Sequence, residues 1–338
     1  KNYIDKPINI PQVLLLQQKL LNYYENHGYP FASVQLDSIQ ITDDKMNALL
    51  VLDKSTLYHI DSIRIYGKVK LSKSFMQQYL AISNGSLYNK SKLALVDKRM
   101  AELPFVTPLQ PSDLTMLGSG GVLNLYADPK KNSQVDFLVG VAPSSPNNSK
   151  VLLTGTVNLN LKNMFGNAEE ILVNWQQLQN KSPRLNLGFS QPYIFNSPYG
   201  VSFLFDLFKK DSSFLQLNAQ AGVQNNLSAN QWGRLFVQWQ NNTLLPGGVD
   251  TNQVKAQDEL PPNIDQSSVG MGINYEWQAT NYRYNAIKGN EINLMVLAGV
   301  KTIRENSEVL DIKDPSFNPA SLYDSIKLKS YQARVKIS

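Results

Sequence analysis

Residues 151–205 read VLLTGTVNLNLKNMFGNAEEILVNWQQLQNKSPRLNLGFSQPYIFNSPYGVSFLF. In the first segment, 151–161, the odd-numbered positions are apolar apart from one glycine, and the even-numbered positions from 154 onward are polar and uncharged. A period of two places these sets on opposite faces of one β-strand. The segment is about ten residues long, which is the length of a strand that crosses a membrane.

The same alternation recurs to the end of the chain. From residue 135 onward it predicts about ten strands of the length found in outer-membrane barrels, and no helix. They lie near 134–142, 151–161, 170–178, 184–190, 200–208, 213–223, 233–240, 267–279, 290–302 and 327–338. The connections near 241–266 and 303–326 are long and polar and belong to the same end of the sheet. Long loops at one end and short turns at the other are typical of such barrels.

Aromatic side chains gather near the predicted strand ends. They include Trp175, Trp239, Trp277, Tyr282 and Tyr284. Rings at these places suit the headgroup level of a membrane, where an amphipathic ring is favoured. The alternative interpretation is ordinary core aromatics.

Composition agrees with a sheet that has one apolar and one wet, neutral face. The 338 residues allow two or more domains; 42% are hydrophobic and only 17% charged. The absence of cysteine excludes disulfides, thiolate metal sites and a thiol catalyst. The net charge of +5 comes from scattered basic residues, so we expect no nucleic-acid partner.

The N-terminal region shows a different, α+β pattern. A helix over 11–27 and strands near 31–41 and 47–52 are expected first. A second unit follows, with a strand over 57–66, helices that Ser72 and Ser91 are placed to cap, and strands at 105–108 and 121–126. Its order is strand, helix, helix, strand, strand, and the first part shows only the last three of these elements.

The predicted architecture is mainly β, with a small α+β region before an antiparallel transmembrane barrel of about ten strands. We place the domain limits at 1–56, 57–130 and 131–338. No catalytic constellation is found, and no cofactor or metal is expected. His27 and His59 have no obvious metal-ligand or nucleophile partner, and the glycine-rich turn at 118–121 precedes a strand rather than the helix that a phosphate site needs.

Several segments resemble the bacterial surface-antigen family, the BamA-like outer-membrane assembly factors. NLNLKNMFGNAEEILVNW and LGFSQPYIFNSPYGVSF resemble the early barrel of that family, and ENHGYPFASVQL and HIDSIRIYG resemble its POTRA domains. NYRYNAIKGNEINL, at 281–294, resembles a later periplasmic turn. The resemblance implies an outer-membrane protein with its N-terminal domains in the periplasm. It also implies unfolded outer-membrane proteins as clients, accessory assembly lipoproteins, and contact with the lipid bilayer.

The family has a sixteen-stranded barrel and an inward-folded loop with a Val-Arg-Gly-Phe-like motif. About ten strands are predicted here, and no such motif is present. We therefore expect a chain truncated at both ends, with further strands in the native protein, because hydrocarbon does not tolerate the unpaired backbone of an open sheet edge.

Two strand edges are the candidate sites for partners. In the second POTRA-like unit the edge strand is expected at Phe105, Val106, Thr107 and Leu109. In the barrel it is the first strand, at Val135, Phe137, Val139, Gly140 and Val141, which the resemblance places at a seam that opens sideways. The function implied is insertion of client strands into the outer membrane. A translocation pore of the two-partner secretion kind and a soluble all-β binding protein remain alternatives.

Overall fold

The computed structural model describes residues 9–43, 45–145, 148–177, 182–228, 231–280, 287–324 and 326–338. The chain forms two compact units, Lys1–Lys131 and Asn132–Ser338. None of the described helices is both long and apolar enough to cross a membrane.

The first unit begins with one helix and a two-stranded hairpin. These elements are α1 (Ile10–Glu25), β1 (Ser33–Thr42) and β2 (Lys45–Asp53). The Asn9 side chain caps α1 by accepting a hydrogen bond from the Gln12 N–H at 3.1 Å. No residue of α1 is buried, and Leu14 and Leu49 are among the exposed apolar side chains. This part therefore has no enclosed core of its own. The division of the unit at residue 56 remains a prediction.

The rest of the first unit is a mixed sheet covered by helices. Its elements are β3 (His59–Tyr66), α2 (Lys73–Leu80), β4 (Ser86–Leu87), α3 (Lys90–Leu93), α4 (Val96–Glu102), β5 (Val106–Pro108), β6 (Asp113–Leu117) and β7 (Gly120–Pro129). The strand order is β4-β3-β7-β5, β6 also pairs with β7, and β3 runs parallel to β7. Met76 and Val96 of the helices and Ile63 and Leu123 of the strands are almost fully buried, so they form the core.

One of the two predicted helix caps is wrong. Ser72 caps α2 as expected, because its hydroxyl accepts from the Phe75 N–H at 3.1 Å. Ser91 lies inside α3, which Asn89 caps by accepting from the Lys92 N–H at 2.9 Å. The segment is held instead by the end of α1, since the Ser91 N–H donates to the Asn26 side chain at 2.8 Å. Strand β6 was not predicted.

The second unit is one antiparallel sheet of ten strands. They are β8 (Gln134–Ser145), β9 (Asn148–Lys162), β10 (Glu170–Gln177), β11 (Arg184–Gln191), β12 (Tyr199–Lys210), β13 (Phe214–Ser228), β14 (Gln231–Leu244), β15 (Gln266–Thr280), β16 (Gly289–Ile303) and β17 (Lys329–Ile337). Each pairs with its sequence neighbours, so β8 and β17 are the edges. The ten predicted strands are confirmed. The sheet is open, and closure into a barrel is not seen.

The long connections contain helices, which contradicts the expectation of none after residue 135. They are α5 (Thr251–Gln257), α6 (Ser307–Leu310) and α7 (Ser321–Asp324). Each is too short to show a helical repeat in the sequence, and side chains of Asp250 and Asn306 cap the first two. We call residues 245–265, 304–324 and 326–328 the loop cap. As predicted, both long connections lie at the same end of the sheet.

Candidate functional site: the faces and edges of the ten-stranded sheet

The strand register sorts side chains into two chemically distinct faces. One row of directly paired residues crosses all ten strands and is apolar throughout: Val135, Leu159, Val173, Leu187, Phe205, Ala219, Trp239, Val269, Val300 and Tyr331. The next row is polar throughout: Asp136, Asn158, Asn174, Asn186, Asp206, Asn218, Gln240, Ser268, Lys301 and Ser330. Because successive side chains alternate, these rows belong to an apolar face and a polar face.

Burial of the two faces is the reverse of that in a water-soluble sheet. Ile273 on the apolar face is 59% exposed, whereas its neighbour Asn274 on the polar face is 8% exposed. On β14, Val237 is 45% exposed and Gln238 is 6% exposed. Side chains crowd one another on a concave face, so this asymmetry indicates a sheet that curls around its polar face. Near the β8 edge the polar face is no longer the more buried one: on β9, Asn158 is exposed and Leu159 is half-buried.

Charge is kept to the margins of the apolar face. Among the described strands, the charged residues in its register are Lys209 and Lys329, each at or next to a strand end. Long lysine side chains at such positions reach toward the polar interface while their stems stay in apolar surroundings. The central band is uncharged, which is what contact with hydrocarbon requires.

Side chains on the polar face bind to one another across the strands. Gln238 donates to the Asn218 side chain at 3.0 Å, and Arg184 pairs with Asp206 at 3.4 Å. Near the other end, Lys162 pairs with Glu170 at 3.2 Å. Neutral amides thus contribute much of this face, and some of its charged side chains are paired.

Phe236 is an aromatic residue in the middle of β14 on the polar face, where the alternation predicts a polar side chain. Phe236 is 1% exposed and lies in register between Gly222 and Gly272 of the neighbouring strands. A Cβ on Gly272 would lie 2.4 Å from the end of the Phe236 ring, so only glycine leaves room for it. The pair of glycines flanking one aromatic residue is the sequence signal for this arrangement.

The predicted seam residues lie on the first edge strand, β8. Val135, Phe137, Val139 and Val141 are exposed and point to the apolar face, and Gly140 lies on the polar side opposite Thr154. Within the described residues β8 pairs only with β9, so its other backbone edge has no strand partner. Whether this edge receives a client strand stays a prediction.

The predicted edge of the first unit divides between core and surface. Phe105 and Val106 are buried, whereas Thr107 and Leu109 are exposed. Strand β5 lies at the edge of the sheet, next to β7, and the Leu109 N–H beyond it still donates to the Tyr126 carbonyl at 3.0 Å. Only the outward side chains and the outer backbone of this strand are therefore open to a partner.

Strand β6 continues the same edge and is fixed by a carboxylate. Asp113 accepts from the Tyr126 hydroxyl at 2.7 Å and from the Asn124 amide at 2.6 Å. These hydrogen bonds lower the pKa of Asp113 below its usual value, the tyrosine bond contributing most. The same bond to the carboxylate raises the pKa of Tyr126.

The loop cap packs onto one end of the polar face. Its core contains Phe214 and Leu244, which lie in polar-face register, together with Val249, Val254, Val309, Leu322 and Tyr323. Asp265 joins the two loops by accepting from the Leu244 N–H and from the Asn306 side chain, both at 2.6 Å. Burial raises the pKa of Tyr323, whose hydroxyl accepts from the Asn306 N–H at 3.1 Å. The cap therefore covers part of this end of the polar face.

Residues 281–286, which include Tyr282, Tyr284 and most of the proposed periplasmic turn, lie outside the described residues. In the part of the chain that is described, no group of three or more His, Asp or Glu side chains is arranged to hold a metal ion.

No protein-family model and no curated protein matches this sequence. Among solved structures, it is similar to BamA from Haemophilus ducreyi lacking POTRA domains 1-3, with 12% identity, a TM-score of 0.48, and coverage of 89% of this chain and 62% of that chain. It is similar to CdiB from Acinetobacter baumannii, with 11% identity, a TM-score of 0.49, and coverage of 88% and 56%. It is also similar to CdiB from Escherichia coli, with 14% identity, a TM-score of 0.44, and coverage of 88% of this chain and 54% of that chain. The chain thus spans between half and two thirds of the BamA and CdiB chains that it is similar to.

Proposed function

We propose that this chain is part of an outer-membrane protein of the BamA-like kind, which assembles other outer-membrane proteins by pairing with their strands. The observation that carries the proposal is the row of ten apolar residues beside the row of ten polar residues, with the apolar side exposed. A soluble all-β binding protein would bury the face that is exposed here.

The sheet edge supplies the proposed activity. Unpaired strand backbone in hydrocarbon costs several kcal/mol per group, so the β8 edge requires a partner inside a membrane. A client strand that pairs there satisfies its own backbone and the edge at once. No catalytic group or nucleotide is needed, because strand pairing and apolar burial supply the driving force. In this proposal the first unit consists of POTRA-like domains in the periplasm, with β5 and β6 as a second pairing edge.

A translocation pore is the second candidate, since an amide-lined polar face also suits a conduit. The loop cap favours the assembly function, because it lies over one end of that face. Depletion of the protein in its host separates the two. Loss of many outer-membrane barrels at once supports assembly, whereas loss of a single exported cargo would contradict it.

The edge itself is testable by disulfide trapping, since the chain has no cysteine. In the full-length protein, Val139→Cys on β8 is expected to form a mixed disulfide with a cysteine in a client strand. Phe205→Cys, on the same face of the internal strand β12, is the matched control and is expected to form none. Equal trapping at both positions would refute pairing at the β8 edge.

A further inference from the structure

Arg234 is a half-buried cation on the polar face without a carboxylate partner. Its guanidinium lies 4.7 Å from the centre of the Phe236 ring, and its terminal nitrogen donates to the Gln220 side chain at 3.1 Å. This is one of five N–H donors that the group carries. Among the described residues no acidic side chain lies within salt-bridge distance of it. Arg184 of the same face is more exposed and is paired with Asp206.

The polar atoms around Arg234 are also unsatisfied. Its Nε is buried without a hydrogen-bond partner, and so is the side-chain oxygen of Asn274, which is directly opposite on β15. Asn274 is itself more than nine-tenths buried. Burying a cation with so few hydrogen bonds is costly unless a counter-charge is supplied. Two things are therefore missing: a counter-charge for the guanidinium and a hydrogen-bond donor for the Asn274 oxygen.

The surroundings indicate what kind of molecule brings that anion. Next to Arg234 the polar face is a wall of neutral amides, including the partly exposed Gln220 and Asn218, that suits the backbone of an extended peptide. Further along the same face, Lys301 and Arg334 add positive charge. Glu276 is the nearest acid on the adjoining strand, two residues from Asn274, and forms no ion pair.

We propose that Arg234 centres a carboxylate-binding site that takes an acidic side chain of a client polypeptide lying against the polar face. The guanidinium binds the carboxylate, the Phe236 ring holds the guanidinium in place, and the amide wall binds the peptide backbone. The identity of the occupant as a client rests on the proposed function.

The test measures binding of a fluorescent decapeptide of alternating serine and glutamate to the full-length protein in lipid nanodiscs. Arg234→Gln is expected to weaken binding roughly 10- to 100-fold, as loss of a hydrogen-bonded ion pair does. Lys336→Gln, which removes the same charge in the same register row, is the matched control and is expected to change it less than about twofold. The glutamine version of the peptide is expected to bind the wild type as weakly as the acidic peptide binds Arg234→Gln.

Equal weakening by both substitutions would show diffuse electrostatics and overturn the site. No binding of the acidic peptide to the wild type would overturn it as well, unless Glu276→Gln restores binding, which would show that Glu276 occupies the site in the resting protein. None of these results depends on the depletion experiment, so failure of the site and failure of the assembly function are distinguishable.

Discussion

Ile273→Lys tests the membrane assignment where water and lipid give opposite expectations. Ile273 lies in the middle of the 15-residue strand β15, with its side chain on the apolar face and 59% exposed. In water, a lysine at so exposed a position changes stability by no more than about 0.5 kcal/mol. At the midplane of a bilayer it costs about 2–4 kcal/mol, which lowers the folding equilibrium constant roughly 30- to 700-fold.

Ser267→Lys is the matched control. Ser267 lies on the same face of β15 as Ile273 and is the second residue of that strand, about 20 Å along it from Ile273. Near the membrane interface the same substitution costs only about 0–1 kcal/mol. The measurement is urea unfolding of the full-length protein in phosphatidylcholine vesicles. If both variants lie within about 0.5 kcal/mol of the wild type, the apolar face does not contact lipid and the reasoning is wrong.

Three further outcomes follow from single contacts. Gly272→Ala is expected to destabilise the sheet by about 1–3 kcal/mol, because the added methyl group overpacks against Phe236. Adding Phe236→Leu in a double variant is expected to recover part of the lost stability. Both are measured by urea unfolding in the same vesicles. Asp265→Ala leaves the Leu244 N–H and the Asn306 amide unpaired, at a local cost of about 1–3 kcal/mol. Protease is therefore expected to cut the loop cap of this variant faster than that of the wild type. Asp311 is exposed, so Asp311→Ala is the control and is expected to have no effect. The pKa of Asp113 is lowered in the folded protein, so its contribution to stability is present above the usual value of 3.8 and is lost as the pH falls through the folded pKa. Over that acid range the first unit of Asp113→Asn is expected to lose less thermal stability than the first unit of the wild type, as measured by thermal unfolding.

The ten strands could be predicted because each shows its own period of two, but the alternation did not fix every boundary. β13 ends at Ser228 and not at 223, and β14 spans Gln231–Leu244 and not 233–240. The same period of two separates Ile273, on the exposed apolar face, from Asn274, on the buried polar face. Phe236 could not be placed, because its burial depends on glycines that come from two other strands. The loop cap was missed for a similar reason: α6 and α7 have four residues each, and their apolar residues make sense only when both loops are packed together.

Pairing at the β8 edge imposes a pattern on the incoming strand rather than a sequence. The apolar row continues outward from Val135, so the residue that pairs with it is favoured if it is apolar, and its neighbour opposite Asp136 is favoured if it is polar. A slip of one residue reverses every side chain and places polar groups in hydrocarbon. Because the side chains of Phe137 and Val139 are exposed, the proposed pairing would select a strand by the phase of its alternation, that is, by which of its residues are apolar and which are polar. Under the proposed assembly function, we expect such an edge to pair with many different membrane strands and not with strands whose alternation is out of phase.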